Sequence, residues 1–143
     1  MAVLTEEQSM LRDAAKSWVQ EKSPVTAFRK MRDSGTDLGY DAAAWNEMAE
    51  MGWAGVIIPE EYGGSNFGYL SLGLVLEELG RTLTASPLIA SGLTAASALI
   101  LGGSEAQKSE WLPKIADGSV VATLAVDEGP HHAPEKVAAT VSG

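Results

Sequence analysis

One stretch limits what this chain can fold into: Gly52-Trp53-Ala54-Gly55-Val56-Ile57-Ile58-Pro59-Glu60-Glu61-Tyr62-Gly63-Gly64. Amphipathic patterns lie on both sides of it. Gly52 is placed to end a helix, because a glycine just past the last turn adopts a left-handed backbone without a Cβ clash. Val56-Ile57-Ile58 is β-branched and apolar, which predicts an extended, buried path. Pro59 biases Ile58 away from helix. Gly63-Gly64 frees the backbone for a sharp reversal. The pattern fits a connector that passes through a helical core before it turns.

Helices are predicted on either side. Thr5-x-x-Gln8 reads as a capping box, and Glu6 and Glu7 favour the positive end of the helix dipole. Leu11, Ala14, Ala15, Trp18 and Val19 then follow helical spacing to about Lys22. Ser23-Pro24 opens a second helix, with Phe28 and Met31 as its apolar stripe. The stretch from Ser34 to Tyr40 is a loop. Asp41 caps a third helix that carries Ala44, Trp45, Met48 and Ala49. Beyond the connector, Leu72, Leu76 and Leu79 share one face of a helix from about Tyr69 to Leu79. Leu70, Leu74 and Val75 cover much of the rest, so this helix is expected to be buried on most sides.

Thr82 to Ser104 contains no charged residue. That length invites comparison with a membrane span. Pro87 and Gly92 interrupt it, Ser91, Thr94 and Ser97 make it polar, and aromatic and basic flanks are missing on both sides. A core helix from Pro87 to Leu101 is therefore expected. Its small residues, Ala90, Ser91, Gly92, Ala95 and Ala96, either let neighbours approach closely or leave room for something else. Gly102-Gly103 ends it, and Ser104-x-x-Gln107 is a second capping box. A short helix with Trp111 and Leu112 follows, in which Pro113 either kinks or begins the last part. After the Asp117-Gly118 turn the pattern changes to strand over 120–126 and again over 137–141, separated by a polar loop. Two such strands do not make a stable sheet alone. The expected fold is all-α: an orthogonal or up-down bundle of five to six helices over 1–118, then one or two short strands over 119–143 as the beginning of an incomplete β-domain.

At 143 residues the chain is long enough to bury a core, and its 45% hydrophobic content argues for globular structure. A net charge of −9 argues against nucleic acid and anionic membrane as partners. The chain has no cysteine, which excludes disulfides and thiolate zinc sites. The N-terminal residues have no basic segment followed by an apolar one, so no signal peptide is read there and a cytoplasmic location is expected.

Candidate chemistry is sparse. Glu60-Glu61 and Glu77-Glu78 are possible acid/base pairs, but sequence-adjacent carboxylates usually point apart, and solvated positions are expected. His131-His132 offers metal ligands with only Asp127 or Glu128 nearby as a third, so a metal-free loop is expected. Gly63-Gly64 lacks the G-x-G-x-x-G spacing and context of a phosphate loop. The four tryptophans are read as core anchors. No serine, histidine and acid assemble into a triad, and no catalytic residue is assigned.

The order of the motifs is more specific than any one of them. Leu4-Thr5-Glu6-Glu7-Gln8, the Trp45 helix, Gly52-Trp53-Ala54-Gly55 and Pro59-Glu60-Glu61-Tyr62-Gly63-Gly64 come first. Glu77-Glu78-Leu79-Gly80-Arg81, Gly103-Ser104-Glu105-Ala106-Gln107-Lys108, Leu112-Pro113-Lys114-Ile115-Ala116-Asp117-Gly118 and Ala125-Val126-Asp127-Glu128 follow. In that order the chain resembles the N-terminal half of the acyl-CoA dehydrogenase family. The resemblance implies a helical N-terminal domain, a central β-domain and a C-terminal four-helix bundle, of which only the first and the start of the second are present. It implies FAD-dependent oxidation of an acyl-CoA thioester to the 2,3-enoyl-CoA, with a glutamate of the missing bundle as base and flavin N5 as hydride acceptor. It also implies homo- or hetero-tetramers and an electron-transfer flavoprotein or similar acceptor.

By position in the family pattern, Pro87, Leu88, Ser91, Gly92 and Ala95 are expected to bind substrate by facing the acyl group. Their small size implies a broad pocket, suited to a branched or ring-bearing chain. The alternative is that they only allow close helix packing. Leu124, Val126 and Asp127 are expected where the family contacts the flavin and the thioester. The family commonly has Thr-Glu, proline and a Gly-Ser-Asp turn there. This chain instead has Asp127-Glu128-Gly129-Pro130-His131-His132-Ala133-Pro134. A carboxylate beside an electron-rich reduced flavin is unfavourable unless it turns away or is protonated. Two alternatives to a catalytic chain therefore stand: a flavin-deficient partner subunit, and a non-catalytic helical interaction module.

Overall fold

The computed structural model describes residues 3–140. Six α-helices form an orthogonal bundle among them: α1 (Glu6–Lys22), α2 (Val25–Asp33), α3 (Ala42–Glu50), α4 (Gly68–Arg81), α5 (Ala96–Gly102) and α6 (Glu105–Ala116). A π-helical segment, Ile89–Ala95, runs directly into α5. No described helix is long and apolar enough to cross a membrane.

The predicted caps form. Thr5 Oγ1 accepts from the Gln8 amide at 3.2 Å while Gln8 Oε1 accepts from the Thr5 amide at 3.1 Å. Ser104 and Gln107 repeat the exchange at the start of α6, at 3.3 and 2.9 Å. Asp41 Oδ1 accepts from the Ala43 and Ala44 amides at 2.8 and 3.2 Å. Each cap satisfies first-turn amides that have no partner inside the helix. Pro113 lies inside α6 without ending it. The turn around it buries Leu112, Ile115 and Ala116, which offsets the amide bond the proline cannot make.

The connector runs through the core, but not as an extended segment. Gly52 is left-handed, with φ 78°, and opens a 3₁₀ turn over Trp53–Gly55. Val56 is right-handed helical, so the extended path predicted for Val56-Ile57-Ile58 is corrected to a series of turns. The reason is hydrogen-bond supply. Among the described residues no strand lies alongside, and the carbonyls of Gly55, Val56 and Ile58 instead accept from Ser65, Phe67 and Asn66 at 3.0, 2.8 and 3.0 Å. Burial is as predicted, with Val56, Ile57 and Ile58 in the core. Gly63 takes φ 83° to reverse the chain. A Cβ on Gly64 would collide with the Ile58 carbonyl, so the two passes of the connector meet only because that position is glycine.

Trp53 anchors the core and is 1% exposed. The Trp18 ring meets it edge-on, with centroids 5.4 Å apart. Trp18 Nε1 donates to Glu47 at 2.9 Å, and Trp45 Nε1 donates to the Gly118 carbonyl at 3.0 Å. Trp111 departs from the expectation for the tryptophans. It is 39% exposed, and the Lys114 ammonium sits 4.5 Å above its ring. α4 lies against α1. It is less enclosed than predicted, since Tyr69 and Leu70 remain about half exposed. Glu78 of the same helix is buried, contrary to the solvated position expected for it, and Arg81 Nε pairs with it at 3.1 Å.

The C-terminal strands do not form among the described residues. The segment 121–127 has no regular structure, and Pro134–Lys136 is a single 3₁₀ turn. Residue 141, the end of the second predicted strand, lies outside the described residues. A strand exists only with a ladder partner. Here the backbone finds other acceptors, with the Val120 amide donating to the Lys114 carbonyl at 3.0 Å.

Candidate functional site

The segment after α4 is held before it becomes helical. Thr82 Oγ1 and Thr84 Oγ1 lie 2.9 Å apart, and Thr84 Oγ1 lies 2.8 Å from Ser23 Oγ at the end of α1. Pro87 then starts the turn. The Ser91 amide still reaches back four residues, to the Pro87 carbonyl at 2.8 Å. The Leu93 amide reaches back five, to the Leu88 carbonyl at 3.1 Å. Thr94 Oγ1 also donates to the Ile89 carbonyl, five residues back, at 2.9 Å. Spacing alone predicted an ordinary helix here, and the widening was missed. Gly92 with Thr94 is the only sequence hint of it, since one is a weak helix former and the other a backbone competitor.

The widened turn has two faces. Pro87, Leu88, Ser91, Gly92 and Ala95 all lie on the buried one. A Cβ on Gly92 would sit 2.9 Å from Leu88 Cδ1 and 3.2 Å from the Ala54 carbonyl oxygen. The glycine therefore lets the helix rest directly on the connector. The outward face carries Ile89, 59% exposed, with Leu93 and Ser97 partly exposed beside it. Tyr69 Oη lies 3.0 Å from Ser97 Oγ, which joins α4 to α5 along this face. Sequence reasoning did not single out these outward side chains, because it assigned a role by motif position rather than by face.

Ser91 links the two groups of predicted site residues. Its Oγ, fully buried, accepts from the Ala122 amide at 3.2 Å. That bond ties the segment leading to Leu124, Val126 and Asp127 onto the π-helical turn. Leu124 and Val126 are 46% and 40% exposed, so a little under half of each remains uncovered.

Asp127 and Glu128 are engaged with their own loop. Asp127 Oδ2 lies 3.0 Å from His132 Nδ1, and Asp127 Oδ1 accepts from the Ala133 amide at 2.9 Å. The bond to His132, and then the amide bond, hold the Asp127 carboxyl below the usual carboxylate range. Glu128 accepts from the Ala138 and Ala139 amides, both at 2.8 Å. His132 thus pairs with a carboxylate, and among the described residues no group of three or more metal-ligating side chains comes together. Glu60 and Glu61 are exposed at the surface.

Comparison with known proteins adds to this geometry. Residues 5–119 match the family model described as the acyl-CoA dehydrogenase N-terminal domain. The chain is 34% identical over 125 residues to acyl-CoA dehydrogenase FadE12 of Mycobacterium tuberculosis, covering 87% of this chain and 31% of that protein. Among solved structures it superposes on a chain of the steroid ACAD Tcur3481-Tcur3483 with TM-score 0.77 at 32% identity, covering 86% of this chain and 33% of that one. It superposes on a chain of the ChsE4-ChsE5 complex from Mycobacterium tuberculosis with TM-score 0.80 at 27% identity, covering 91% and 35%. The chain spans about a third of the length of the relatives it matches.

Proposed function

The chain belongs to the acyl-CoA dehydrogenase family, and from that membership we propose that it is the N-terminal part of an enzyme that dehydrogenates an acyl-CoA thioester to the 2,3-enoyl-CoA. Its own contribution is one wall of the acyl pocket, over the helical domain 1–118. The segment 119–143 leads into a β-domain. The 143-residue chain alone is inactive, because no side chain in it is assigned the proton abstraction. The whole enzyme is cytoplasmic, assembles with further acyl-CoA dehydrogenase subunits, and passes electrons to an electron-transfer flavoprotein or similar acceptor.

The observation that carries this reading is the pairing of a buried small-residue face with an apolar outward face on one widened helical turn. Pro87, Leu88, Ser91, Gly92 and Ala95 act on the pocket from behind. Packed in the core, they set how far the helix draws back toward Ala54. A wall that sits back leaves room for branched or ring-bearing acyl groups. Ser91 also sets the exit of the chain toward Leu124 through its bond from Ala122.

Gly92→Ala tests the wall. The new methyl meets the flexible end of Leu88 at 2.9 Å, which gives way, and the Ala54 carbonyl oxygen at 3.2 Å, which moves the helix slightly outward without losing the fold. In the whole polypeptide assembled with its partner subunits, kcat/KM for bulky CoA esters is expected to fall by about tenfold relative to short linear ones. An equal change across the panel would remove the wall from the account.

The family's chemistry uses FAD, which would supply hydride acceptance. The residues this chain offers do not fit it. Leu124 and Val126 provide apolar contact, but the next side chain, Asp127, is an acceptor held in its anionic form.

A further inference from the structure

The misfit at Asp127 extends through the loop that follows and concerns donors as much as charge. An isoalloxazine edge presents mainly acceptors, and its reduced form carries negative charge, so a protein that holds it must supply N–H or O–H donors. Between Leu124 and Pro134 there is no hydroxyl, lysine or arginine side chain. The polar side chains there are two carboxylates and two imidazoles. Beside the imidazole N–H groups the donors there are backbone amides, and the two carboxylates compete for amides of the loop as acceptors. Ala133 donates to Asp127, and Ala138 and Ala139 donate to the two oxygens of Glu128. The His132 Nδ1 edge also lies against Asp127. The clasp is built from residues close in sequence and closes without any second chain. Lys136 lines the same cleft as Glu128 and His131.

We propose that this chain does not hold the flavin itself: its segment 124–139 is clasped shut by Asp127 and Glu128, and the flavin of the assembled dehydrogenase is held by a different subunit. The inference rests on the acyl-CoA dehydrogenase reading above and adds to it a division of labour between subunits. The chain then shapes acyl binding while another polypeptide carries the redox group. Both carboxylates are structural in this account. Leu124 and Val126, with about half their surface uncovered, remain available for apolar contact.

The test uses the whole polypeptide that carries this chain, purified alone from flavin-replete cells, beside the Asp127→Thr/Glu128→Gln double variant. The parent protein is expected to retain FAD at well under about one-tenth of a molecule per chain, and the double variant to bind added FAD at least about tenfold more tightly. Amide exchange provides the second measurement. Ala133, Ala138 and Ala139 are expected to be protected in the parent and to exchange faster in the double variant, with the helical amides unchanged. Stoichiometric FAD in the parent protein alone overturns the proposal. So does a double variant whose three amides exchange faster while its FAD affinity stays the same, or one whose amides do not change. Failure of the family reading looks different. It is an absence of CoA-ester turnover in the complex with a flavin-bearing subunit, and it leaves the exchange result standing.

Discussion

Tyr62 and Glu105 show how two residues far apart in sequence fix the connector to the bundle. The Tyr62 hydroxyl donates to Glu105 Oε2 at 2.8 Å, and the Lys108 ammonium sits 3.0 Å from the other carboxylate oxygen. The Glu105 bond raises the Tyr62 pKa from 10.0 to about 12. The same bond, followed by the one from Lys108, lowers that of Glu105 below 4.5. The two ends of the pH scale therefore behave differently. Tyr62, raised in the folded state, contributes stability fully present below 10.0 and lost as pH rises through about 12. Glu105, lowered in the folded state, contributes stability present above 4.5 and lost as pH falls through its folded value. A phenol titration followed by ultraviolet absorbance is expected to place Tyr62 near 12, and Glu105→Gln is expected to bring it back toward 10.0. A Tyr62 midpoint unmoved by that substitution would remove the pair from the account.

Among the elements, the helices owe their boundaries to local signals and their partners to tertiary ones. The Ser104 box is the clearest local case, since both halves of the exchange form within one turn. Ser104→Ala is expected to cost about 1 kcal/mol in urea unfolding, while Ser104→Asp stays within a few tenths of the parent. An alanine variant as stable as the parent would show that tertiary packing, rather than the cap, holds the start of α6. The π-helical turn is the opposite case. Its extra residue per turn is compatible with Leu88 and Ala95 in the core, Gly92 on Ala54, and Ser91 under Ala122. Those demands come from three separate parts of the chain, so periodicity across Pro87 to Leu101 did not reveal them. The buried Glu78 follows the same logic. Its place on α4 was set by the helix, and its burial by what packs over it.

For the molecule as a whole, stability is concentrated in the bundle. Trp53, Met48, Ile58, Leu72, Leu88, Leu112 and Ile115 are its largest buried side chains, and all precede residue 119. From Asp127 to Thr140 every residue except Ala133 is exposed. Truncation after Val126 is therefore expected to leave the far-ultraviolet helical signal intact and to move the thermal midpoint by less than about 3 °C, since little apolar area is lost. Truncation after Gly118 also removes the Ala122 to Ser91 bond and uncovers a buried hydroxyl, and is expected to lower the midpoint further. Differential scanning calorimetry of the two shortened chains checks both outcomes. Equal midpoints would mean that the segment 119–126 adds nothing to the bundle.

The sequence by itself determined the caps at Thr5, Asp41 and Ser104, the left-handed Gly52 and Gly63, and the run of amphipathic helices. Each of these depends on groups within a turn or two along the chain. The ordered motifs also pointed to the family, because they are spread over most of the chain. Tertiary structure decided the rest. Val56-Ile57-Ile58 turns instead of extending because the Val56 and Ile58 carbonyls find donors in Phe67 and Asn66 rather than in a neighbouring strand. The segment 121–127 carries strand-forming residues but has no regular structure, because a ladder needs a partner that composition does not supply. Pro87, Leu88, Ser91, Gly92 and Ala95 were identified from their order in the sequence, and folding placed them on the core side. Which way a side chain faces depends on what packs against its helix, and that is fixed only when distant parts of the chain meet.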